Sequence, residues 1–444
     1  MARTGLDGGL RPTSPRTHSD KGGASPAKLK RWEHGSARAS EDGVTELGLM
    51  SRDRRRQGKA YGMNSLVLKW ILIALFATLP LSQVSSAAAQ SDWVYSAMPA
   101  TTCREGASAG IAIRRAPKPT NRIVIVMQGG GFCADSATCS NSPKTFDLTD
   151  FSLARASYLN MGIFYRFSPN NPFANYHQVY IPYCSGDLHA GKVDRVVSDG
   201  TTSVTQHHRG AENTRLFYER IVSEFRSELQ QPGAEVMLAG VSAGGYGVSF
   251  NAPVLSGMLP SNVRLITLND SGPALDVGTT GSCFSQTMAD YFNFRGTFLS
   301  TCPSCGASNW LSAWQTNVLA RYPRMTQALI SSSNDGVISK FISNGFPGCS
   351  AHSLAAGQYE AGLRAVRKRM QDATRIYGTP TASFFISESD MNTLHVWTIL
   401  PNYYGNLFHE TRAQNAAGAT VLLRDWAPAL YDRLPTAADH VGLP

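Results

Sequence analysis

Ser242 stands between glycines in Gly240-Val241-Ser242-Ala243-Gly244, straight after the apolar run 235–241 and before a series of small residues. That is a strand, a sharp turn and a helix start, the setting in which a serine hydroxyl is held clear of the backbone as a nucleophile. The same letters also describe a plain glycine-rich turn. A serine hydroxyl attacks a carbonyl only if a neighbouring base takes its proton and donors receive the resulting oxyanion. The segment Met127-Gln-Gly-Gly-Gly-Phe-Cys133 meets the second need. Its glycines expose backbone N–H groups immediately after an earlier strand-like run. Gly130 and Gly131, with the N–H of Ala243, are the expected oxyanion donors. Four histidines follow late in the chain as candidate bases, His352, His395, His409 and His440, and Asp335 and Asp390 are candidate acids.

These groups need a scaffold. "RIVIVMQ" (122–128), "HQVYIPY" (177–183), "EVMLAGVS" (235–242), "VRLITLND" (263–270) and "TASFFIS" (381–387) read as strands. Continuous β-branched runs suit a parallel sheet covered on both faces. "AENTRLFYERIVSEFRSELQ" (211–230) carries apolar residues at three- and four-residue spacing, and 355–373 does the same, so both are expected helices. Strands alternating with helices predict an α/β fold with a mostly parallel sheet and helices on both faces. The Cys-rich stretch from about 273 to 355 has weaker periodicity and reads as an insertion or cap.

Residues 1–62 are rich in Arg, Lys, Ser, Gly and Pro and show no apolar period, which predicts a disordered basic leader. Residues 63–89 run from a Met through Lys69 and a short apolar core to three alanines, the order of a secretory signal peptide. Translation is therefore expected to begin at Met63. The apolar run falls short of the ~20 residues a spanning helix needs, although an uncleaved segment 66–84 is the alternative membrane anchor. Residues 1–62 hold 13 Lys and Arg against 7 Asp and Glu, and Lys69 adds a charge, so seven of the formal +9 precede residue 90 and +2 remains for 90–444. The basic excess thus lies outside the expected catalytic domain, 90–444, which argues against a nucleic-acid partner.

All 8 cysteines, at 103, 133, 139, 184, 283, 302, 305 and 349, follow the signal segment. An even count in an exported chain predicts disulfides. The single Cys302-Pro-Ser-Cys305 has neither a second pair nor an adjacent histidine, so a zinc or redox reading is disfavoured. No metal or organic cofactor is expected.

Five blocks in order, "TCREGASAGIAI", "VIVMQGGGFCADSATCS", "NPFANYHQVYIPYCSGDLHAG", "VMLAGVSAGGYGVSFNAPVL" and "LITLNDSGPAL", resemble the pectin acetylesterase / Notum carboxylesterase family. The resemblance implies an α/β-hydrolase fold and cleavage of carboxylic esters by Ser, Asp and His. It implies disulfides Cys103–Cys184 and Cys133–Cys139, leaving Cys283, Cys302, Cys305 and Cys349 to pair among themselves. "LISSSNDGVISKF" resembles the family's strand-end aspartate segment, which selects Asp335 over Asp390. "NTLHVWTILPNYYG" resembles the histidine segment of bacterial members, which selects His395 over His409. His352 and His440 are expected at the surface. Asp187 in "YCSGDLHAG" and Asp270-Ser271 in "NDSG" match family motifs near the active-site face, and each reads equally as a turn or cap. Where the family often has Trp after its glycine run, this chain has Phe132.

The expected activity is a secreted or periplasmic serine carboxylesterase that removes O-acetyl groups, with an acidic polysaccharide such as pectin as the substrate. Alternatives are a deacylase for longer or lipid-type acyl esters, and a secreted binding protein that keeps the scaffold without turnover. Membrane contact follows only if the signal segment is retained.

Overall fold

The computed structural model describes residues 92–169, 171–388, 391–399 and 411–443. The leader, the signal segment, Asp390 and His409 lie outside these residues. No helix among the described residues is long and apolar enough to cross a membrane.

In chain order the strands are β1 (Val94–Met98), β2 (Ala109–Arg114), β3 (Arg122–Met127), β4 (His177–Ile181), β5 (Val193–Ser198), β6 (Ser203–His208) and β7 (Glu235–Val241). They continue as β8 (Arg264–Asp270), β9 (Thr326–Ser332), β10 (Thr381–Ile386), β11 (Arg412–Gln414), β12 (Thr420–Leu422) and β13 (His440–Val441). Nine of them form one sheet in the order β1-β2-β4-β3-β7-β8-β9-β10-β13. From β4 to β13 every neighbouring pair is parallel, while β1 and β2 add antiparallel strands at one edge. The parallel part is where the sequence is most uniformly apolar. β7 reads EVMLAGV and is buried from Val236 onward, as a strand covered on both faces must be. This is an α/β-hydrolase-like fold.

The helices that bear on the site are α1 (Gly210–Glu224), α2 (Ala243–Met258), α3 (Ser282–Tyr291), α4 (Trp310–Arg321), α5 (Gly336–Asn344), α6 (Gln358–Tyr377) and α7 (Leu423–Asp432). α6 buries Tyr359, Leu363, Val366, Met370 and Ala373, a stripe at helical spacing, and stops at Gly378, whose φ of 72° supplies the left-handed cap. Apolar residues form one large core cluster, and a second around Leu329, Ile338, Leu363 and Phe385. The Cys-rich stretch does contribute covering helices, α3 and α4. Its later part returns to the sheet, since β9 pairs between β8 and β10.

Four disulfides are formed: Cys103–Cys184, Cys133–Cys139, Cys283–Cys349 and Cys302–Cys305. The surface position expected for His440 is corrected. It is 6% exposed, because β13 inserts beside β10 and turns the imidazole onto the hydroxyls of Ser383 and Thr381.

Candidate active site

Parallel strands all point their carboxyl ends to one side, and in such sheets that edge is where loops can converge. β3 runs into the glycine loop, β7 into Ser242, β8 into Asp270, β9 into Asp335, and β10 into the segment that carries His395.

Ser242 has φ 56° and ψ −120°, a conformation that a residue with a Cβ adopts only under constraint. The constraint is visible on each side of it. Ser242 N donates to the Asp270 carbonyl at 2.8 Å, and Tyr246 N to the Ser242 carbonyl at 3.2 Å. The flanking glycines admit close backbone passage: a Cβ on Gly244 would lie 2.1 Å from the Met127 carbonyl oxygen, and one on Gly240 2.3 Å from that of Gly244. The glycine loop is pressed against the same turn, because a Cβ on Gly129 would meet Val241 O at 2.7 Å and Ser242 Cβ at 2.9 Å. Strand end, turn and glycine loop are therefore one close-packed unit, and any larger residue at Gly129, Gly240 or Gly244 would pry it apart.

Asp335 follows the end of β9 and caps the start of α5. Its carboxylate is wholly buried and divided between two tasks. Oδ1 accepts from Val337 N and Ile338 N, both at 3.0 Å, as the helix cap. Oδ2 accepts from His395 Nδ1 at 2.7 Å. The charge is felt nearby: burial first, and then Asp335, push the phenols of Tyr246 and Tyr359 up. The other ring nitrogen of His395, Nε2, is shielded from solvent and has no hydrogen-bond partner among the described residues. A buried polar nitrogen without a partner is uncommon. It is the atom a general base would use, because Asp335 holds the tautomer that leaves it free to accept.

The histidine segment has no regular structure and is held from two sides. At the end of β8, Asp270 Oδ2 accepts from Trp397 N, Thr398 N and Thr398 Oγ1, each at 2.8 Å. Ser271 Oγ accepts from Val396 N at 3.1 Å. At the end of β9, Asn334 N and Gly336 N donate to the carbonyls of Asn392 and Thr393. Val396 sits at φ 60°, an outlier for a β-branched residue, held by these bonds. Burial pushes the Asp270 carboxyl up, against the bonds from Trp397 and Thr398. Ser242 and the segment after His395 are thus each one hydrogen bond from the Asp270–Ser271 pair. For these two the structure favours the turn or cap reading, and the same holds for Asp187, whose Oδ2 accepts from Gly210 N at the start of α1.

Beside Ser242 opens a cavity whose walls include Gly131, Phe132, Leu188, Ala243 and Tyr246. Its far walls are Phe284 and Met288 of α3, Trp310 and Leu311 of α4, and Ile338, Phe341 and Ile342 of α5. Little in the sequence signals that α3 and α5 meet here. Phe132 packs on Phe341 and Phe346, with ring centres 5.2 Å apart in each case, so it helps build the wall. Of the expected oxyanion donors, Gly131 and Ala243 line the cavity. Gly130 lies one residue back, its Cα facing Pro143 and Tyr183.

A family profile described as Pectinacetylesterase matches residues 83–306, half of the chain. The chain belongs to the pectinacetylesterase family. The matched region contains the glycine loop and Ser242 but not Asp335 or His395. Among similar proteins is the palmitoleoyl-protein carboxylesterase notum1a of Danio rerio, 29% identical over 181 residues, 39% of this chain and 34% of the relative. Pectin acetylesterase 11 of Arabidopsis thaliana is 25% identical over 248 residues, 55% of this chain and 58% of the relative. Each alignment spans less than two thirds of the relative's length. The crystal structure of the Wnt deacylase Notum from Drosophila aligns with a TM-score of 0.51 at 17% identity, over 79% of this chain and 97% of that one, a likeness of fold. This member of the family therefore shares its scaffold with Notum, and the placing of Asp335 and His395 rests on its own geometry.

Proposed function

We propose that this protein is a secreted serine carboxylesterase in which Ser242 is the nucleophile, His395 the general base and Asp335 the residue that orients it. The observation that carries this reading is the His395–Asp335 hydrogen bond of 2.7 Å, with the opposite imidazole nitrogen shielded and without a partner among the described residues. His395 Nε2 takes the Ser242 proton as Oγ adds to the ester carbonyl. The oxyanion accepts from the N–H groups of Gly131 and Ala243, with Gly130 beside them. The ester C–O bond then breaks, the alcohol leaves with the proton returned by His395, and water, deprotonated by the same histidine, releases the acid.

The acyl group would enter the apolar cavity. O-acetyl groups on an acidic polysaccharide are the first substrate class, and the small cavity, ≈ 50 Å³, supports it. A longer acyl chain is the alternative, since Phe284, Met288, Trp310, Leu311 and Phe341 line the cavity with apolar side chains. Four disulfides fit an oxidising compartment, and residues 63–89 are proposed as the signal peptide that takes the chain there. N-terminal sequencing of the natural product tests that proposal, and retention of the Arg-rich leader would refute it.

The deciding experiment is hydrolysis of p-nitrophenyl esters from acetate to decanoate by the purified protein beside Ser242→Ala. Activity in the first and its loss in the second is expected. An optimum at acetate supports deacetylation, one at eight or ten carbons a lipid-type substrate, and equal release by both proteins rejects the catalytic reading in favour of a binding protein.

A further inference from the structure

The glycine loop has a second set of partners with no part in the chemistry above. Its first carbonyl, that of Gln128, lies 2.8 Å from His189 Nε2. A carbonyl oxygen only accepts, so Nε2 carries the proton. Its last carbonyl, that of Gly131, accepts from the Tyr183 hydroxyl at 2.9 Å, and that hydroxyl in turn accepts from Leu188 N at 2.8 Å. Tyr183 N also donates to Gln128 Oε1 at 2.9 Å. Tyr183 is fully buried and His189 nearly so, and their rings pack 4.6 Å apart.

A carbonyl and the N–H that follows it belong to one planar group. Holding the Gln128 and Gly131 carbonyls therefore fixes the peptide planes at both ends of the loop. Between them lie the two peptides whose N–H groups belong to Gly130 and Gly131. Those residues take φ of 144° and 67°, and as glycines they have little intrinsic preference to keep those angles.

His189 also reaches the second source of donors. A Cβ on Gly247 of α2 would meet its ring at 2.9 Å, and its carbonyl accepts from Asn251 Nδ2 of α2 at 3.0 Å. One residue thus touches both the glycine loop and the helix that presents Ala243. Leu188 and His189 are consecutive non-glycine residues at φ 57° and 61°, a conformation seldom kept without a compensating contact.

We propose that Tyr183 and His189 are positioning residues for the oxyanion donors, Tyr183 setting the glycine loop and His189 locking that loop to helix α2. The proposal rests on the serine-esterase reading above. Burial pushes the His189 pKa down to about 4, which favours the neutral ring.

The test uses Tyr183→Phe, which removes one hydroxyl, and His189→Asn, which tolerates the left-handed backbone but is too short to reach Gln128. Each is measured with p-nitrophenyl acetate for kcat and KM, and for affinity towards phenylboronic acid, whose tetrahedral adduct with a serine occupies the oxyanion site. The burst of p-nitrophenol counts folded active sites. Removing a donor outright costs about 10²–10³ in kcat, so a displaced one is expected to cost about 10- to 100-fold. KM should stay within about threefold, and boronate affinity should fall in step with kcat/KM per folded site. Wild-type kcat and boronate affinity in Tyr183→Phe would overturn the proposal even if His189→Asn failed to fold. If Ser242→Ala matched the wild type, the esterase reading would fall and this proposal with it. An active wild type, an inert Ser242→Ala and an unaffected Tyr183→Phe would remove the positioning role alone.

Discussion

His395 and Asp335 are joined Nδ1 to Oδ2 at 2.7 Å, and the same carboxylate caps helix α5 through its other oxygen. One side chain therefore fixes both the imidazole and the start of a cavity wall. Asp335→Asn should separate the two roles. Asn caps helices as well as Asp does, so stability is expected to stay within about 0.5 kcal/mol, while the imidazole loses its acceptor and kcat falls about 10³- to 10⁴-fold. Asp335→Ala should lose the same activity and also about 2 kcal/mol, from the missing cap and an unmet buried N–H. Urea unfolding beside ester hydrolysis checks both, and an Asn variant with near-wild-type kcat would move the acid elsewhere.

Ser242 stores strain, because a residue with a Cβ is held at φ 56° and ψ −120°. Alanine keeps the Cβ and so keeps the strain; glycine releases it. Ser242→Gly should be about 1 kcal/mol more stable than Ser242→Ala, although both are expected to be inactive. Urea midpoints of the two variants give the comparison, and an Ala variant at least as stable as the Gly variant would mean that the turn is relaxed.

The central sheet was legible because buried parallel strands must be apolar throughout. The runs at 122–128, 235–242 and 263–270 coincide with β3, β7 and β8 to within a residue. The exposed hairpin β5–β6 was not, since Val193–Ser198 alternates half-buried and exposed residues without a strong apolar face. Ser242 and the glycine loop announce themselves because glycine at close approach has no substitute. Asp335 and His395 stand out only by resemblance, as both sit after strand ends in segments whose geometry comes from distant partners: Asn392 and Thr393 for the first, Asp270 and Ser271 for the second. Tyr183 and His189 gave no sign, because an aromatic beside a strand reads as core.

The Cys283–Cys349 disulfide joins the first turn of α3 to the loop after α5, and these are the helices whose Phe284, Met288, Ile338 and Phe341 face each other across the cavity. Removing it should loosen the walls. In the double variant Cys283→Ser/Cys349→Ser the ratio of kcat/KM for decanoate over acetate is expected to rise several-fold. Chain-entropy reasoning puts the stability loss at about 4 kcal/mol for a loop of this length, against about 2 for Cys302–Cys305. An unchanged chain-length ratio would show that the walls are held by packing alone.

Acid should destabilise the fold in a defined window. His440 is buried between Ser383 and Thr381, and burial, with Arg367 adding and Asp439 opposing, pushes its pKa down to about 4. In the unfolded chain a histidine titrates near ~6.5. The unfolded state therefore binds the extra proton first, so its contribution is fully present above that value and is lost as pH falls towards 4. The window is worth up to about 3 kcal/mol for this one group. His189 is shifted in the same direction, as are His177 and His208, again chiefly by burial. Urea unfolding at pH 7 and pH 4.5 should show the loss in the wild type and a shallower one in His440→Gln, which can still bond to the hydroxyls but cannot take up a proton. Equal pH slopes in the two proteins would mean that His440 is charged when folded.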